Sequence, residues 1–432
     1  MRFDEVISSA LDLIRGQFGN RRSSITLVRD VAGQLTAVLE NDVLEDAELE
    51  RLAAELDTRL GRFSPGSRRV LLRRSELIDE RDIFESPDRV RLPDADDAWL
   101  IDRLLTNQEW LRRPHLARPR LPVAAAFSLK GGVGRSTAVA VWAWHLAREG
   151  RRVVVVDLDL EAPGLGSLLI GDPPAYGMVD WLAEALLGQP DQELLEDCLA
   201  FSPVSGDAEG AVQVLPAFGS KTRDYVAKVG RVYLPGLATG GGEIGLPERI
   251  DALITALADR QDPPDAILLD SRAGLHDIGA AVVTQLGAEV FLFARDEPQG
   301  WQAYRLLFEH LLRSRGLQFG MPDDDLRWHL KMVAAQVEKR EGAVASWLEA
   351  SYDVWSALYD DEGKATEGAP AQTFVRDDPN APHHPLTIYH DAGLRSVGLV
   401  ETSQRPPWPV VEAAFGEFLV GATERLLGSH ES

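Results

Sequence analysis

The 432-residue chain is long enough for two domains, and 45% of its residues are hydrophobic and can furnish their cores. Its 68 acidic residues against 45 Lys plus Arg give a formal charge of −23, which disfavours general DNA binding through the phosphate backbone. The single cysteine, Cys198, excludes an intrachain disulfide, a CxxC zinc site and a thiolate-held iron–sulfur cluster.

The first stretch, MRFDEVISSALDLIRGQF, carries acids and a serine pair where a signal peptide needs an apolar core. No later apolar run is long enough to span a bilayer, so a cytoplasmic protein without integral membrane association is expected. Phe3, Val6, Ile7, Ala10, Leu11 and Ile14 share one face at three-and-four spacing, which predicts an amphipathic helix. Residues 25–28 and 35–39 flank Asp30-Val31-Ala32-Gly33 and predict a hairpin. Leu49, Leu52, Ala53, Leu56 and Leu60 predict a helix over 47–60, residues 70–72 a returning strand, and residues 98–111 a last helix. Together these predict a small α+β domain over residues 1–120, closed by the Pro- and Arg-rich linker 112–122, and a second domain over 121–432. Arg68, Arg69, Arg73 and Arg74, with Arg118 and Arg120, form the densest basic runs, which a solvated face explains better than a polyanion site.

The apolar run 123–127 leads into Lys130-Gly131-Gly132-Val133-Gly134-Arg135-Ser136-Thr137, after which 137–149 has a helix-compatible composition. Strand, glycine loop and helix in this order suit a phosphate: glycines let backbone N–H groups close around it, the helix N-terminus adds its dipole, and a hydroxyl reaches Mg²⁺. Gly150 stands where a helix-terminating glycine belongs, and Val153-Val154-Val155-Val156 predicts a buried parallel strand that carries Asp157-Leu158-Asp159 to its C-terminal edge. That edge is where ligands sit in open α/β sheets. The Gly-rich stretch 221–247, with Thr239-Gly240-Gly241-Gly242, reads as a mobile loop.

Asp265-Ala266-Ile267-Leu268-Leu269-Asp270 is a second buried-strand pattern ending in a carboxylate, followed by Ser271-Arg272-Ala273-Gly274. Further strands are expected over 289–294, 330–337 and 386–389, with a helix over 301–313. The acidic, Pro/Gly-punctuated stretch 360–385 reads as an insertion, and His383, His384 and His390 as surface histidines without metal spacing. The last helix, 410–427, sets Glu412, Glu417 and Glu424 against Arg425 and is expected to pack on the sheet instead of a membrane. The alternation from residue 122 onward predicts an α/β, doubly wound, mostly parallel sheet.

The loop spacing resembles the deviant Walker A motif, KGGxGK[ST], of the ParA/MinD-like P-loop ATPases, with Lys130 at the signature lysine and Arg135 where the family has its phosphate-loop lysine. Residues 176–182 and 212–216 resemble the family's next helix start and its strand ending in a proline. The resemblance implies ATP and Mg²⁺ as cofactors, held by Lys130, Gly131, Gly132, Val133, Gly134, Arg135, Ser136 and Thr137. It implies that Asp159 orients the attacking water, that Asp157 supports the Mg²⁺ shell or its loop, that Asp270 and Ser136 serve the metal, and that Gln336 lies near the adenine. It further implies a nucleotide-dependent homodimer in which Lys130 crosses to the partner's phosphates and which signals to another protein. The alternative is a nucleotide-sensing scaffold, with little turnover because of Arg135, in a bacterial multiprotein signalling or defence complex. An enzyme on another substrate, such as an amide ligase or a tyrosine autokinase, is disfavoured, because the chain lacks a C-terminal tyrosine cluster and a second substrate motif. For Arg272, pairing with Asp277 is expected ahead of contact with phosphate.

Overall fold

A computed structural model describes residues 1–18, 23–86, 88–92, 95, 97–206, 208–237, 243–313, 325–359, 373–394 and 398–431. The chain divides into two compact units, Met1–Arg112 and Arg113–Ser432.

In the first unit, strands β1 (Ile25–Arg29), β2 (Leu35–Leu39), β3 (Leu71–Arg73), β4 (Arg89–Arg91) and β5 (Ala98–Asp102) form one sheet in the order β3-β2-β1-β5-β4. β1 and β2 make the expected antiparallel hairpin. Helices Val6–Phe18 and Asp46–Leu60 pack on each other, and their apolar faces join Ile25, Leu27 and Leu35 in one core. The helix expected over 98–111 is instead strand β5 followed by a 3-10 turn, Gln108–Leu111. Trp99, Leu100 and Ile101 lie in parallel register with Thr26, Leu27 and Val28 of β1. Pairing with a central strand, by aromatic and β-branched residues, overrides the local helical spacing. The basic runs are largely neutralised: Arg73 pairs with Asp46, Arg74 with Glu80, Arg118 with Glu289 and Arg120 with Asp259, while Arg68 and Arg69 are exposed.

The second unit contains β6 (Val123–Ser128), β7 (Arg152–Asp157), β8 (Ala200–Phe201), β9 (Ala211–Leu215), a two-stranded ribbon of β10 (Gly236–Leu237) and β11 (Glu243–Ile244), β12 (Ala266–Ala273), β13 (Glu289–Ala294), β14 (Leu330–Val337) and β15 (Leu386–Tyr389). Eight of these form a sheet in the order β15-β14-β13-β6-β12-β7-β9-β8, parallel throughout except for β8 against β9. The strands read as continuous apolar runs because helices cover both faces. Helix Arg135–Arg148 is apolar almost all round and lies between the sheet and the C-terminal helix Trp408–Glu431. Trp142 joins the three layers: its indole N–H donates to Thr423 Oγ1 at 2.9 Å, and its ring meets Phe291 and Phe418 edge-on with centroids 5.2 and 5.6 Å away. The C-terminal helix thus packs on the sheet, burying Val411, Ala414, Phe415, Phe418, Leu419 and Leu426.

Residues 239–242 and 360–372 lie outside the described residues. His383 is not a surface histidine: it is fully buried, its Nε2–H donates to the Arg376 carbonyl at 2.8 Å, and Nδ1 accepts from the Tyr359 hydroxyl at 2.6 Å. Among the described residues, no helix is long and apolar enough to cross a membrane.

Candidate functional site

The sheet register decides what meets at its C-terminal edge. Asp270 on β12 stands opposite Asp157 on β7 and Ala126 on β6, so both strand-end acids emerge beside the end of β6 at Ser128. From there the chain turns through Gly132 (φ +75°) and Gly134 (φ +90°), left-handed conformations that side chains rarely adopt. Helix Arg135–Arg148 follows at once. Val133 is buried and anchors the loop from below, Lys130, Gly131 and Gly132 are exposed, and Ser136 and Thr137 are half-buried on the first helical turn.

Arg135 folds inward. Its Nε donates to Asp270 Oδ1 at 2.6 Å, Nη1 to Ser128 Oγ at 3.1 Å and Nη2 to Asp159 Oδ2 at 3.4 Å, and the side chain is only 7% exposed. The planar fork thus joins the ends of β6 and β12 to the segment behind β7. Lys130, by contrast, makes no ion pair among the described residues and stays at the lip of the loop.

Asp157 spends both oxygens on its own loop, Oδ1 accepting from the Asp159 N–H at 3.1 Å and Oδ2 from the Leu165 N–H at 3.2 Å. Burial, and next the nearby charge of Asp270, push its carboxyl up to about 7. Asp159 is also raised by burial, against the opposing pull of the Ala162 N–H and Arg135. Asp270 Oδ2 is buried and has no partner among the described residues. An orphaned carboxylate oxygen fits a divalent cation or its bound water, and the half-buried Ser136 on the first helical turn offers a hydroxyl, so the residues present suit Mg²⁺.

Gln336 lies at an irregularity in β14 with φ +56°, and its Nε2 donates to the Gly132 carbonyl at 3.2 Å. It therefore touches the glycine loop, and it lines a cavity of about 160 Å³ with Arg295, Asp296, Glu338, Arg340 and Trp347. Arg272 pairs with Glu161 (Nη1 to Oε1, 2.8 Å) instead of the expected Asp277. The Tyr233 hydroxyl donates to the same Glu161, and the Tyr225 hydroxyl to the Leu160 carbonyl at 2.6 Å. These tyrosines were not legible as site residues, because residues 221–247 read as a loop, whereas 225–232 form a helix. The spacing of Tyr225, Val229 and Val232 was the available signal.

Fold and site together define a doubly wound P-loop domain, in which Arg135, at the helix start directly behind the glycine loop, turns inward to Asp270 on β12 and Asp159 behind β7. The chain resembles the ParA/MinD-like P-loop ATPases in this architecture. It is 29% identical over 195 residues to the antiactivator FleN of Pseudomonas aeruginosa, a match covering 45% of this chain and 58% of FleN. It is 43% identical over 60 residues to an iron-sulfur cluster carrier protein of Pseudomonas fragi, covering 12% of this chain and 21% of that protein. The chain therefore spans well under two thirds of the length of either curated relative. Among solved structures it is similar to a ParA family ATPase from Chlorobium tepidum TLS (16% identity, TM-score 0.40, 71% of this chain and 95% of that one). It is similar as well to the septum site-determining protein MinD complexed with Mg-ADP from Pyrococcus horikoshii OT3 (19% identity, TM-score 0.41, 72% and 96%). No family profile matches the chain.

Proposed function

We propose that the chain is a cytoplasmic Mg-ATP-binding, ATP-hydrolysing molecular switch that dimerises on nucleotide and signals to a protein partner. The observation that carries this reading is the convergence of Arg135, Asp159 and Asp270 beneath the glycine loop. In it, residues 130–137 cradle the phosphates through backbone N–H groups and the helix N-terminus. Ser136 and Asp270 hold the metal, which when bound neutralises phosphate charge, while Asp157 braces the loop. Asp159 positions the attacking water, Gln336 borders the base, and Lys130, exposed at the lip, reaches a second copy. Residues 121–432 form this nucleotide domain and residues 1–120 a separate α+β domain. Similarity to an antiactivator supports a regulatory role.

A second reading, a nucleotide-sensing scaffold with little turnover in a bacterial signalling or defence complex, is favoured by one contact: Arg135 holds the water-orienting Asp159. The test is ATP binding and turnover by the full chain, with and without candidate protein partners. Bound nucleotide at a hundredfold excess over Kd should add about 2.7 kcal/mol of stability and raise the melting temperature. Turnover above background supports the switch, tight binding without turnover the scaffold, and no binding overturns both.

A further inference from the structure

Three nitrogens of Arg135 are committed inside the protein, to Asp270, Ser128 and Asp159, and none of these partners belongs to the glycine loop itself. A lysine at this position has one nitrogen and lacks the planar fork that reaches three groups at once. The fork leaves Asp270 half used: Oδ1 is taken by the guanidinium, while Oδ2 is buried and unpartnered. A divalent cation arriving at Oδ2 would share one dry carboxylate with a guanidinium already seated on the other oxygen, and two cations so placed repel strongly. A nucleotide's phosphates, by contrast, offer a guanidinium several charge-assisted hydrogen bonds at the mouth of the same loop.

Resting on the nucleotide-site reading, we infer that Arg135 exchanges between two anionic partners, the Asp159 and Asp270 carboxylates in the free chain and nucleotide phosphate in the bound one. The divalent-cation position at Asp270 therefore opens only once nucleotide has drawn Arg135 away. Binding is ordered, nucleotide before metal, and the two are coupled. Arg135 is here a positioning residue for Asp270: it decides when that carboxylate is available.

The test uses the full chain and Mn²⁺ as the metal probe, titrated by electron paramagnetic resonance with and without a slowly hydrolysed ATP analogue, whose own binding is measured separately by fluorescence. The wild type should bind Mn²⁺ about tenfold or more tightly after the analogue than before it, within the usual range of coupled sites. Arg135→Gln should bind Mn²⁺ without nucleotide, and Asp270→Asn should lose the site in both states. Arg135→Lys, which keeps the charge and covers the case in which Arg135→Gln does not fold, should fall between wild type and Arg135→Gln. A chain that binds the analogue yet takes Mn²⁺ equally tightly before and after it overturns the exchange alone. So do Arg135 variants whose free-state Mn²⁺ affinity equals that of wild type. A chain that binds no nucleotide overturns the underlying reading as well.

Discussion

Arg272 Nη1 lies 2.8 Å from Glu161 Oε1, which ties the end of β12 to the segment behind β7. Tyr233 adds a second contact by donating to the same carboxylate, and Tyr225 holds the neighbouring Leu160 carbonyl. The two stretches that flank the strand-end acids are thus fastened to each other and to helix Tyr225–Val232.

Arg272→Gln should loosen both stretches at once. The pair is partly exposed, 39% and 25%, so its direct contribution to stability is below about 1 kcal/mol, and the melting temperature should move little. Amide exchange over residues 158–166 and 271–276 should rise together. Faster exchange confined to 271–276 would show that the ion pair does not couple the segments.

The main frame of the second unit was legible in the sequence because its signals are local: a run of four valines, an apolar stretch ending in Asp270, glycines before a helix. What could not be read depends on residues far apart in the chain. The inward turn of Arg135 requires the register that sets Asp270 beside Asp157, and β5 exists because β1, some seventy residues earlier, offers it an edge. His383 is buried through Tyr359, across a stretch that read as an insertion. The partner of Arg272 likewise lies on another strand's loop, whereas local spacing in the sequence favours its neighbour Asp277.

Gly134→Ala should cost about 1–2 kcal/mol, the usual penalty for forcing a side chain into the left-handed region. Gly134 has φ +90°, and a Cβ there would stand 3.2 Å from Gln336 Nε2, so the glutamine must also give way. Gly131→Ala, three residues earlier, meets nothing within 4 Å and has no positive φ, so it should be nearly neutral. Chemical denaturation of the two variants checks the contrast, and equal losses would contradict it.

Lys331 should give the fold a pH dependence away from the glycine loop. Its Nζ donates to the Pro379 and Ala381 carbonyls at 2.8 and 2.9 Å in a buried position, and burial lowers its pKa to about 7. Between about 7 and the ordinary lysine value near 10.4, the unfolded chain binds the proton and the folded chain does not, so stability rises with pH across that window. The penalty is fully present below the lower value and absent above the higher one. Lys331→Met should remove this rise, so the wild-type-minus-variant difference in unfolding free energy should increase from pH 7 to 10. A flat difference would mean that the amine is charged in the fold across the whole range.

Lys130 and Arg135 are cations of one loop, yet the structure separates them completely. Arg135 is buried against Asp270 and Asp159, whereas Lys130 is exposed five residues earlier and has no ion pair among the described residues. On the proposed reading, a free ammonium at the lip adds little to phosphates held by backbone N–H groups and a helix N-terminus, and serves instead to meet the phosphates of a second copy. Lys130→Ala should therefore bind a slowly hydrolysed ATP analogue nearly as the wild type does, yet fail to form the nucleotide-dependent dimer and fail to turn over ATP. A lysine that is merely solvated predicts no change in either property. Affinity by fluorescence and mass by sedimentation separate the cases: a Lys130→Ala dimer as stable as that of the wild type removes the cross-subunit role. A parallel loss of affinity would instead place Lys130 on the phosphates of its own subunit.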